Sequence, residues 1–189
     1  MDRTRTAIID AALGLFAEKG FGETTVDEIA ERAEVGRRTF FRYFPAKEAV
    51  LFHDIDAHIE ATVATLRARP DTEDPYQALI ATMRDAAGRF AADADRGQLM
   101  GRVAAENESL FGHHRAVIMR RMEDALAAEV ASRRGLDAPD METQAAVAAV
   151  LAAFGSAVRF WITGGAKGAL PQMVESALDA AQGALAAAD

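Results

Sequence analysis

The sequence predicts an all-α fold of about nine helices. Hydrophobic residues make up 50% of the 189 positions and recur three or four residues apart along most of the chain. Alanine, the strongest helix former, is very frequent, and only five prolines interrupt the pattern. No segment offers a convincing strand. A chain of this length folds as one large domain or as two small ones.

Three short helices are predicted at the N-terminus, over 4–19, 25–33 and 37–44. The second begins with a capping box, in which the hydroxyl of Thr25 caps the helix and the carboxylate of Glu28 reaches back. The turn between the second and third helices is about three residues long. Because two short helices joined by such a turn form a helix-turn-helix, we expect this motif here.

Six further helices are predicted in the rest of the chain. Asp74 and Asp140 cap two of them, since a short acceptor side chain before an apolar periodic segment favours a helix start. Pro70 ends one helix, and Pro171 begins the last. The expected helices cover 45–69, 75–90, 98–108, 113–134, 141–163 and 171–188.

Charge is distributed unevenly along the chain. The net charge is −8, but the segment GRRTFFRYFPAKEAV at 36–50 places four cations among four aromatics, with no acid before Glu48. The first 50 residues carry eight Lys/Arg and nine Asp/Glu, whereas residues 51–189 carry thirteen and twenty. Because the acidic part repels nucleic acid, we expect any contact with DNA to be local and geometrically exact.

Helical geometry divides this basic segment into a buried and an exposed side. Phe40 and Phe44 share one face and are expected to pack on the first helix. Arg37, Arg38 and Thr39 fall in the first turn, where a recognition helix contacts base edges, and arginine is the commonest partner of guanine. The alternative is that the arginines are only solvated. The predicted DNA-contacting residues are Thr25, Arg37, Arg38, Thr39, Phe41, Arg42, Tyr43 and Lys47.

The segment TTVDEIAERAEVGRRTFFRYFPAKEAVL resembles the DNA-binding segment of TetR-family transcriptional regulators. The positions that match the family pattern are Thr25, Ile29, Ala30, Ala33, Val35, Phe44, Lys47 and Glu48. The resemblance implies a DNA-binding regulator of about nine helices. It also implies that the bases are faced by Arg37, Arg38 and Thr39, and the DNA backbone by Thr25, Phe41, Tyr43 and Lys47.

Four positions depart from that family pattern. Glu34 replaces a small turn residue, and Gly36 replaces a serine cap, which weakens the start of the third helix. Arg38 replaces a common glycine, and Phe41 replaces a tyrosine whose hydroxyl could reach phosphate. The resemblance therefore does not supply the operator sequence of this chain.

Two functional parts are expected: a helix-turn-helix DNA-binding domain at 1–47, and a ligand-binding and dimerisation domain at 48–189. The helix at 141–163 is apolar or small on all sides and is expected to be mostly buried. Together with the last helix it would meet its copy across a two-fold axis, because a palindromic site needs two recognition helices about 34 Å apart. A monomeric core is the alternative. The predicted dimer contacts are Phe154, Val158, Trp161, Val174, Leu178 and Leu185.

The middle helices, over 46–134, are expected to enclose a small-molecule site, because their methionines form an adaptable apolar wall. Packing alone also explains most of these positions. The segment 98–134 and the helix end FWITGG are similar to the C-terminal domain of mycofactocin-regulator-type proteins with acyl-CoA-like ligands, which implies an acyl effector. The predicted pocket residues are Ile59, Met83, Phe90, Met100, Arg102, Val103, Asn107, Met122 and Arg159.

Catalytic and metal chemistry find little support in the sequence. Cysteine is absent, which excludes disulfides and thiolate catalysis. Adjacent His113 and His114 point to different faces, and the spacing of His53 and His58 does not align two ligands. We therefore expect no metal, no cofactor and no enzyme activity. The alternative is an all-helical enzyme or binding protein that acts on acyl thioesters.

The N-terminal sequence is charged and then amphipathic, so no signal peptide is expected. Its Arg3 and Arg5 could reach a minor groove or belong to a disordered end. The longest apolar run, 145–158, is shorter than the roughly 20 residues that span a bilayer. The sequence thus predicts a cytoplasmic homodimer without membrane contact, most simply a repressor that binds a palindromic operator on double-stranded DNA and is released by a small hydrophobic or acyl ligand.

Overall fold

All regular elements of the described residues are α-helices, which confirms the predicted class. The computed structural model describes residues 2–92, 94–106 and 108–186, with the side chains of all of them except 94, 104–106, 108–111, 113, 115 and 182–186. The ten helices are α1 Arg3–Lys19, α2 Val26–Arg32, α3 Arg37–Tyr43, α4 Glu48–Leu51, α5 Ile55–Arg67, α6 Pro75–Ala91, α7 Ala94–Glu106, α8 Glu108–Arg133, α9 Met141–Thr163 and α10 Leu170–Ala186.

The first four helices, here called the head (residues 2–51), pack around one apolar core. Phe16, Ile29 and Phe40 are at most 1% exposed and lie at its centre. The predicted capping box at the start of α2 is present, and Gly36 starts α3 without a side-chain cap, as the sequence also predicts. Leu99 and Val103 of α7 reach the same core, so the head shares buried surface with the rest of the chain.

One helix predicted over 45–69 is in fact two, because the chain breaks after α4. Arg96 of α7 donates a hydrogen bond of 2.9 Å to the carbonyl oxygen of Leu51 and binds both carboxylate oxygens of Asp54. That carbonyl oxygen is therefore satisfied by a side chain from outside the helix, and Phe52 leaves the helical conformation. The sequence pattern did not reveal this contact, since the two partners are 45 residues apart.

The remaining helices, α5 to α10, form the body (residues 55–186), in which α9 is central. α9 packs against α6, α7, α8 and α10. One core lies between α5, α6, α8 and α9 and contains Leu79, Leu126 and Val147, each at 0% exposure. A second core lies between α6, α9 and α10 around Trp161, whose indole N–H donates to the carbonyl oxygen of Gly168 at 3.2 Å.

By length and composition, α9 is also the one helix in the described part that could cross a membrane, with a mean hydropathy of 1.8 over 18 residues. The central helix of a globular core meets the same criterion. It packs against four other helices of the body. Only 22% of this window is buried, however, so the prediction of a mostly buried helix is wrong for the single chain.

Two glycines let α7 lie directly on the end of α9. A Cβ atom at Gly97 would stand 2.6 Å from the ring of Trp161, and one at Gly101 would stand 2.9 Å from the Cγ2 atom of Ile162. Such distances are shorter than real carbon contacts allow, so any larger residue must push the helices apart. The close contact links α7 to the core around Trp161.

We expect Gly97→Ala to lower the melting temperature and the free energy of unfolding. Overpacking a core costs about 1–3 kcal/mol, and the rigid indole ring cannot move aside as a flexible chain end would. This cost outweighs the roughly 1 kcal/mol that alanine gains in helix propensity. Gly88 of α6 provides the control, since no atom lies within 4 Å of a Cβ added there. Urea titrations should show Gly88→Ala stabilised; equal stabilisation of both variants would contradict the close packing.

Candidate nucleic-acid interface

The third helix has one buried and one exposed face, as the sequence predicts. Phe40 and Phe44 are 0% and 3% exposed, with their ring centroids 5.9 Å apart in the head core. Phe41 stands at 88° to the ring of Phe40, 5.5 Å between centroids, and is 44% exposed. The buried rings therefore hold α3 in place while its opposite side faces solvent.

Arg38 is the most available cation on the exposed face of α3. It is exposed, and it makes no hydrogen bond, ion pair or ring contact with any residue that the structure describes. Arg42 is also exposed but lies over the ring of Tyr43, with 5.0 Å from its Cζ atom to the ring centroid. Thr39 is half-buried beside them. A side chain as free as Arg38 can reach a base edge without first breaking a contact.

Arg37, the other predicted base contact, is held on two sides. Its Nη1 atom donates to both carboxylate oxygens of Asp27 in α2, at 2.9 and 2.8 Å. Its guanidinium also lies over the ring of Phe41, 5.5 Å from the centroid. Asp27 could not be identified from the sequence, because its proximity to Arg37 depends on how α2 and α3 pack.

Tyr43 is occupied by a residue at the N-terminus. Its hydroxyl donates a short hydrogen bond to the carboxylate of Asp2, which also caps α1 by accepting from the amide of Thr4 at 3.0 Å. The hydrogen bond from Tyr43, more than that from Thr4, lowers the pKa of Asp2, so this carboxylate stays charged. The predicted phosphate contact of Tyr43 would require the phosphate to replace Asp2.

Lys47 is placed differently from the prediction. Its ammonium group donates to the backbone carbonyl oxygens of Phe21, Gly22 and Thr24, at 2.6, 3.3 and 2.7 Å. It also lies 4.4 Å from the centroid of the Phe21 ring. All three donors of the ammonium are therefore used within the head, where they hold the turn that leads into α2. The predicted contact with the DNA backbone would require Lys47 to leave these acceptors.

Thr25 is exposed, but its hydroxyl serves the capping box. It accepts from the amide of Glu28 at 3.3 Å and donates to the carboxylate of Glu28 at 2.7 Å. The carboxylate of Glu28 also forms an ion pair with Lys19. The hydrogen bond from Lys19, followed by those from the amide and hydroxyl of Thr25, lowers the pKa of Glu28 from 4.5 to about 2. Folding therefore favours the charged carboxylate.

We expect Glu28→Gln to be less stable than the native chain at neutral pH, with a difference that vanishes in acid. Because the pKa in the folded state is lowered, the contribution is present above pH 4.5 and is lost as the pH falls towards about 2. Chemical denaturation at several pH values measures the gap. Glu23→Gln is the control, since Glu23 is exposed and in no ion pair of the described residues. A gap as large at pH 2 as at neutral pH would contradict this account.

The N-terminal arginines do not form a loose arm. α1 begins at Arg3, and Arg5 donates to the carbonyl oxygen of His53 at 2.7 Å while lying over the ring of Phe44. Arg5 thus connects α1 to the segment between α4 and α5. A contact with the minor groove, which the sequence left open, would require Arg5 to leave these partners.

The predicted pocket residues do not surround one cavity. The six residues that are buried or half-buried divide among three cores, whereas Arg102 and Arg159 are exposed and Asn107 lies outside the described residues. The sequence could not separate a pocket lining from packing because both require apolar side chains at the same helical spacing. The three groups are Ile59, Met83 and Met122 in the first body core, Met100 and Val103 in the head core, and Phe90 in the core around Trp161.

The predicted dimer contacts also need revision. Trp161, Val174 and Leu178 are at most 2% exposed within the single chain, so their side chains cannot contact a partner. Phe154 and Val158 are half-buried against the same body cores, and the side chain of Leu185 lies outside the described residues. The apolar face that remains uncovered belongs to other residues of α9 and α10. Phe160 is 71% exposed there and was not among the predicted contacts.

The three histidines whose side chains are described, His53, His58 and His114, take part in packing or hydrogen bonds. His114 stacks on Phe52, with ring centroids 4.7 Å apart and planes at 10°. Burial lowers the pKa of His53, which favours its neutral form. Within the described part of the chain, no three His, Asp or Glu side chains come together as metal ligands.

These features define a class of protein: an all-α regulator whose helix-turn-helix presents a basic, aromatic surface to DNA. Residues 8–53 match the family described as "Bacterial regulatory proteins, tetR family", and residues 73–186 match the "MftR C-terminal domain". The chain therefore belongs to the TetR family of transcriptional regulators. Both resemblances noted in the sequence are confirmed by these matches.

Curated relatives support this assignment. The chain is 37% identical over 169 residues to the transcriptional regulator TcmR of Streptomyces glaucescens, covering 84% of this chain and 73% of TcmR. Over 52 residues, 28% of this chain and 26% of the relative, it is 44% identical to the putative mycofactocin biosynthesis regulator MftR of Mycobacterium tuberculosis. These relatives are transcriptional regulators, so the chain is a regulator and not an enzyme. The alternative of an enzyme acting on acyl thioesters is thereby set aside.

Solved structures share the fold. FadR of Thermus thermophilus, in complex with lauroyl-CoA, aligns with a TM-score of 0.67 and 24% identity over 94% of this chain and 93% of FadR. SmeT, in complex with triclosan, aligns with a TM-score of 0.68 and 21% identity over 97% and 91% of the two chains. At these identities the likeness concerns the fold.

Proposed function

We propose that the chain is a homodimeric repressor that binds a palindromic operator through α3 and is released by a small hydrophobic or acyl ligand. The observation that carries the proposal is the free, exposed Arg38 on a helix anchored by the buried Phe40, in a chain that is otherwise acidic. An exposed cation without other contacts, carried on a helix that a buried ring holds in place, suits base recognition, because the helix fixes the register and the side chain reaches the base edges.

The proposed division of contacts follows the geometry of the head. Arg37 and Arg38 face the bases, and Arg42 with Phe41 leans on the sugar-phosphate backbone. Thr39 lies between these two groups. The cytoplasm, where chromosomal DNA is accessible, is the proposed location.

We place the boundary between the two domains at the break after α4, later than the sequence-based limit of 47. Val50 and Leu51 are at most 1% exposed and belong to the head core, so α4 packs with the DNA-binding part. The family match to residue 53 agrees with this position. The ligand-binding and dimerisation part then begins with α5.

The proposed dimer face is the uncovered side of α9 and α10. A shallow groove between the two helices is lined by Ser156, Phe160, Gln172 and Met173, among others. Small residues such as Ser156 allow a second backbone to come close, and the exposed ring of Phe160 would be buried by the partner. Two copies of α9 and α10 would form a four-helix interface. Trp161 supports this face from inside the chain.

The proposed ligand site is the body core that contains Ile59, Met83 and Met122. These side chains pack against one another, so a ligand would separate them, which flexible methionines tolerate. The ligand class comes from relatives of the same fold, since one FadR was solved with lauroyl-CoA and SmeT with triclosan. Between these, the matched MftR C-terminal domain leads us to favour an acyl chain, as the sequence resemblance implies.

Release requires that a change in the body reach the head, and α7 is placed to transmit it. Arg96 binds Leu51 and Asp54 at the break between α4 and α5, while Gly97 on the same helix touches Trp161. Burial alone would raise the pKa of Asp54, but the hydrogen bonds and charge of Arg96 lower it, so this carboxylate stays ionised. A ligand that binds better to a conformer with α7 displaced would shift the population towards release.

Selection of bound sequences from random DNA tests the proposal. We expect an inverted repeat whose half-site centres are about 34 Å, or a multiple of that, apart. Lauroyl-CoA should then release the protein from the selected site, and triclosan serves as the non-acyl comparison. Failure to enrich any sequence at low salt would contradict DNA recognition. Release by triclosan but not by acyl-CoAs would contradict the acyl assignment alone.

A further inference from the structure

The contact between Asp27 and Arg37 stands out because it places an acid inside a surface meant for a polyanion. Both side chains are largely exposed, at 65% and 63%. A carboxylate near DNA phosphates weakens binding to every sequence. An exposed ion pair also adds little to folding stability. The pair therefore needs a reason other than general affinity or folding.

The geometry of the guanidinium supplies that reason. Both oxygens of Asp27 bind the single atom Nη1 of Arg37. The Nε and Nη2 atoms, whose N–H bonds are parallel along the other edge, donate to no residue within the described part of the chain. This pair of donors has the spacing that binds the O6 and N7 atoms of guanine.

The ring of Phe41 further restricts the orientation of this guanidinium. It lies 5.5 Å from the Cζ atom of Arg37 and is itself packed edge-on against the fully buried Phe40. With Asp27 bound at one edge and Phe41 against one face, the orientation of the guanidinium plane is fixed, and its Nε–Nη2 edge remains free. An arginine held in this way loses less conformational entropy when it binds a base.

We propose that Asp27 is a positioning residue that fixes Arg37 so that its free Nε–Nη2 edge reads one guanine in each half-site. The inference rests on the proposed function, since it requires that α3 binds DNA. Asp27 thereby gives α2 a role in specificity: its carboxylate lowers the affinity for all DNA and raises the selectivity at one base pair. Arg38, which has no such support, is expected to discriminate bases less sharply than Arg37.

The test compares base preferences of Asp27→Asn, Asp27→Ala and Arg37→Ala, each selected against random DNA at one fixed salt concentration. Glu31→Gln is the matched control, because Glu31 is an exposed acid one turn further along α2 and makes no contact with Arg37 in the described structure. Thermal denaturation should show that all four variants fold.

We expect Arg37→Ala to abolish the preference for guanine at one position, and Asp27→Ala to lower the same preference about tenfold. A fifth variant, which combines Asp27→Ala with Arg37→Ala, should match Arg37→Ala alone, and Glu31→Gln should keep the native preference while binding random DNA slightly more tightly. An unchanged preference in both Asp27 variants would overturn the proposal, as would a change at a different position, which would mean that Asp27 reads a base directly. If the native chain selects no sequence at all, the proposed function itself fails.

Discussion

Replacing Phe160 with arginine is expected to convert the proposed dimer into monomers and to lower affinity for the selected DNA site by roughly 100-fold or more. Phe160 is the most exposed aromatic side chain described in α9, and it lines the groove between α9 and α10. Aromatic anchors near the centre of an interface carry much of its binding energy. The two arginines introduced at position 160, one in each chain, would also lie close together across the two-fold axis and repel each other. A monomer reaches one half-site only and loses the second, linked contact.

Sedimentation velocity and DNA binding at constant salt concentration measure the two effects. Val117→Arg is the control, because Val117 is 48% exposed on α8 and does not line the groove. This control should remain a dimer with native affinity. A Phe160→Arg protein that stays dimeric and binds the selected site normally would show that the interface lies elsewhere.

Replacing Lys47 with methionine is expected to reduce the free energy of unfolding by roughly 3 kcal/mol, because hydrogen bonds to charged groups contribute about 1.5–3 kcal/mol each. The alkyl stem keeps its packing, but the carbonyl oxygens of Phe21 and Thr24 lose their shared donor. A loss of this size lowers the melting temperature by about 6–12 °C in a chain of this length. DNA binding should fall as well, since the turn positions α2 under the recognition helix.

Arg42→Met is the matched comparison for Lys47→Met. It removes one exposed cation from the neighbouring helix, and in the described structure the guanidinium of Arg42 contacts the side chain of Tyr43. This variant should keep its melting temperature and weaken binding to all sequences about equally. If Lys47→Met behaves in the same way, with native stability and uniformly weaker binding, Lys47 contacts phosphate as the sequence suggested, and the structural role assigned here is wrong.

The parts of the fold that depend on local chemistry could be predicted from the sequence. The capping box of α2 needs only Thr25 and Glu28 at the right spacing, and both of its hydrogen bonds are present. The burial of Phe40 and Phe44 follows from their separation of one helical turn. The helix-turn-helix and the all-α class rest on the same short-range rules.

The parts that depend on distant contacts could not be predicted. The break after α4 is associated with Arg96, which lies far along the chain, and Lys47 finds its acceptors more than 20 residues away. The burial of Trp161 within the single chain was likewise hidden, because an apolar residue of α9 suits a core and an interface equally well. Periodicity identifies an apolar face but does not say which surface covers it.

The central claim is that the exposed tip of α3 reads bases, and the affinity ratio of Arg38→Ala tests it most directly. The measurement compares binding to the selected site with binding to random DNA, for the native and variant chains at one salt concentration. We predict that the ratio falls about tenfold while affinity for random DNA changes much less, because the side chain contacts a base. Equal losses on both DNAs, or no loss on either, would contradict the claim.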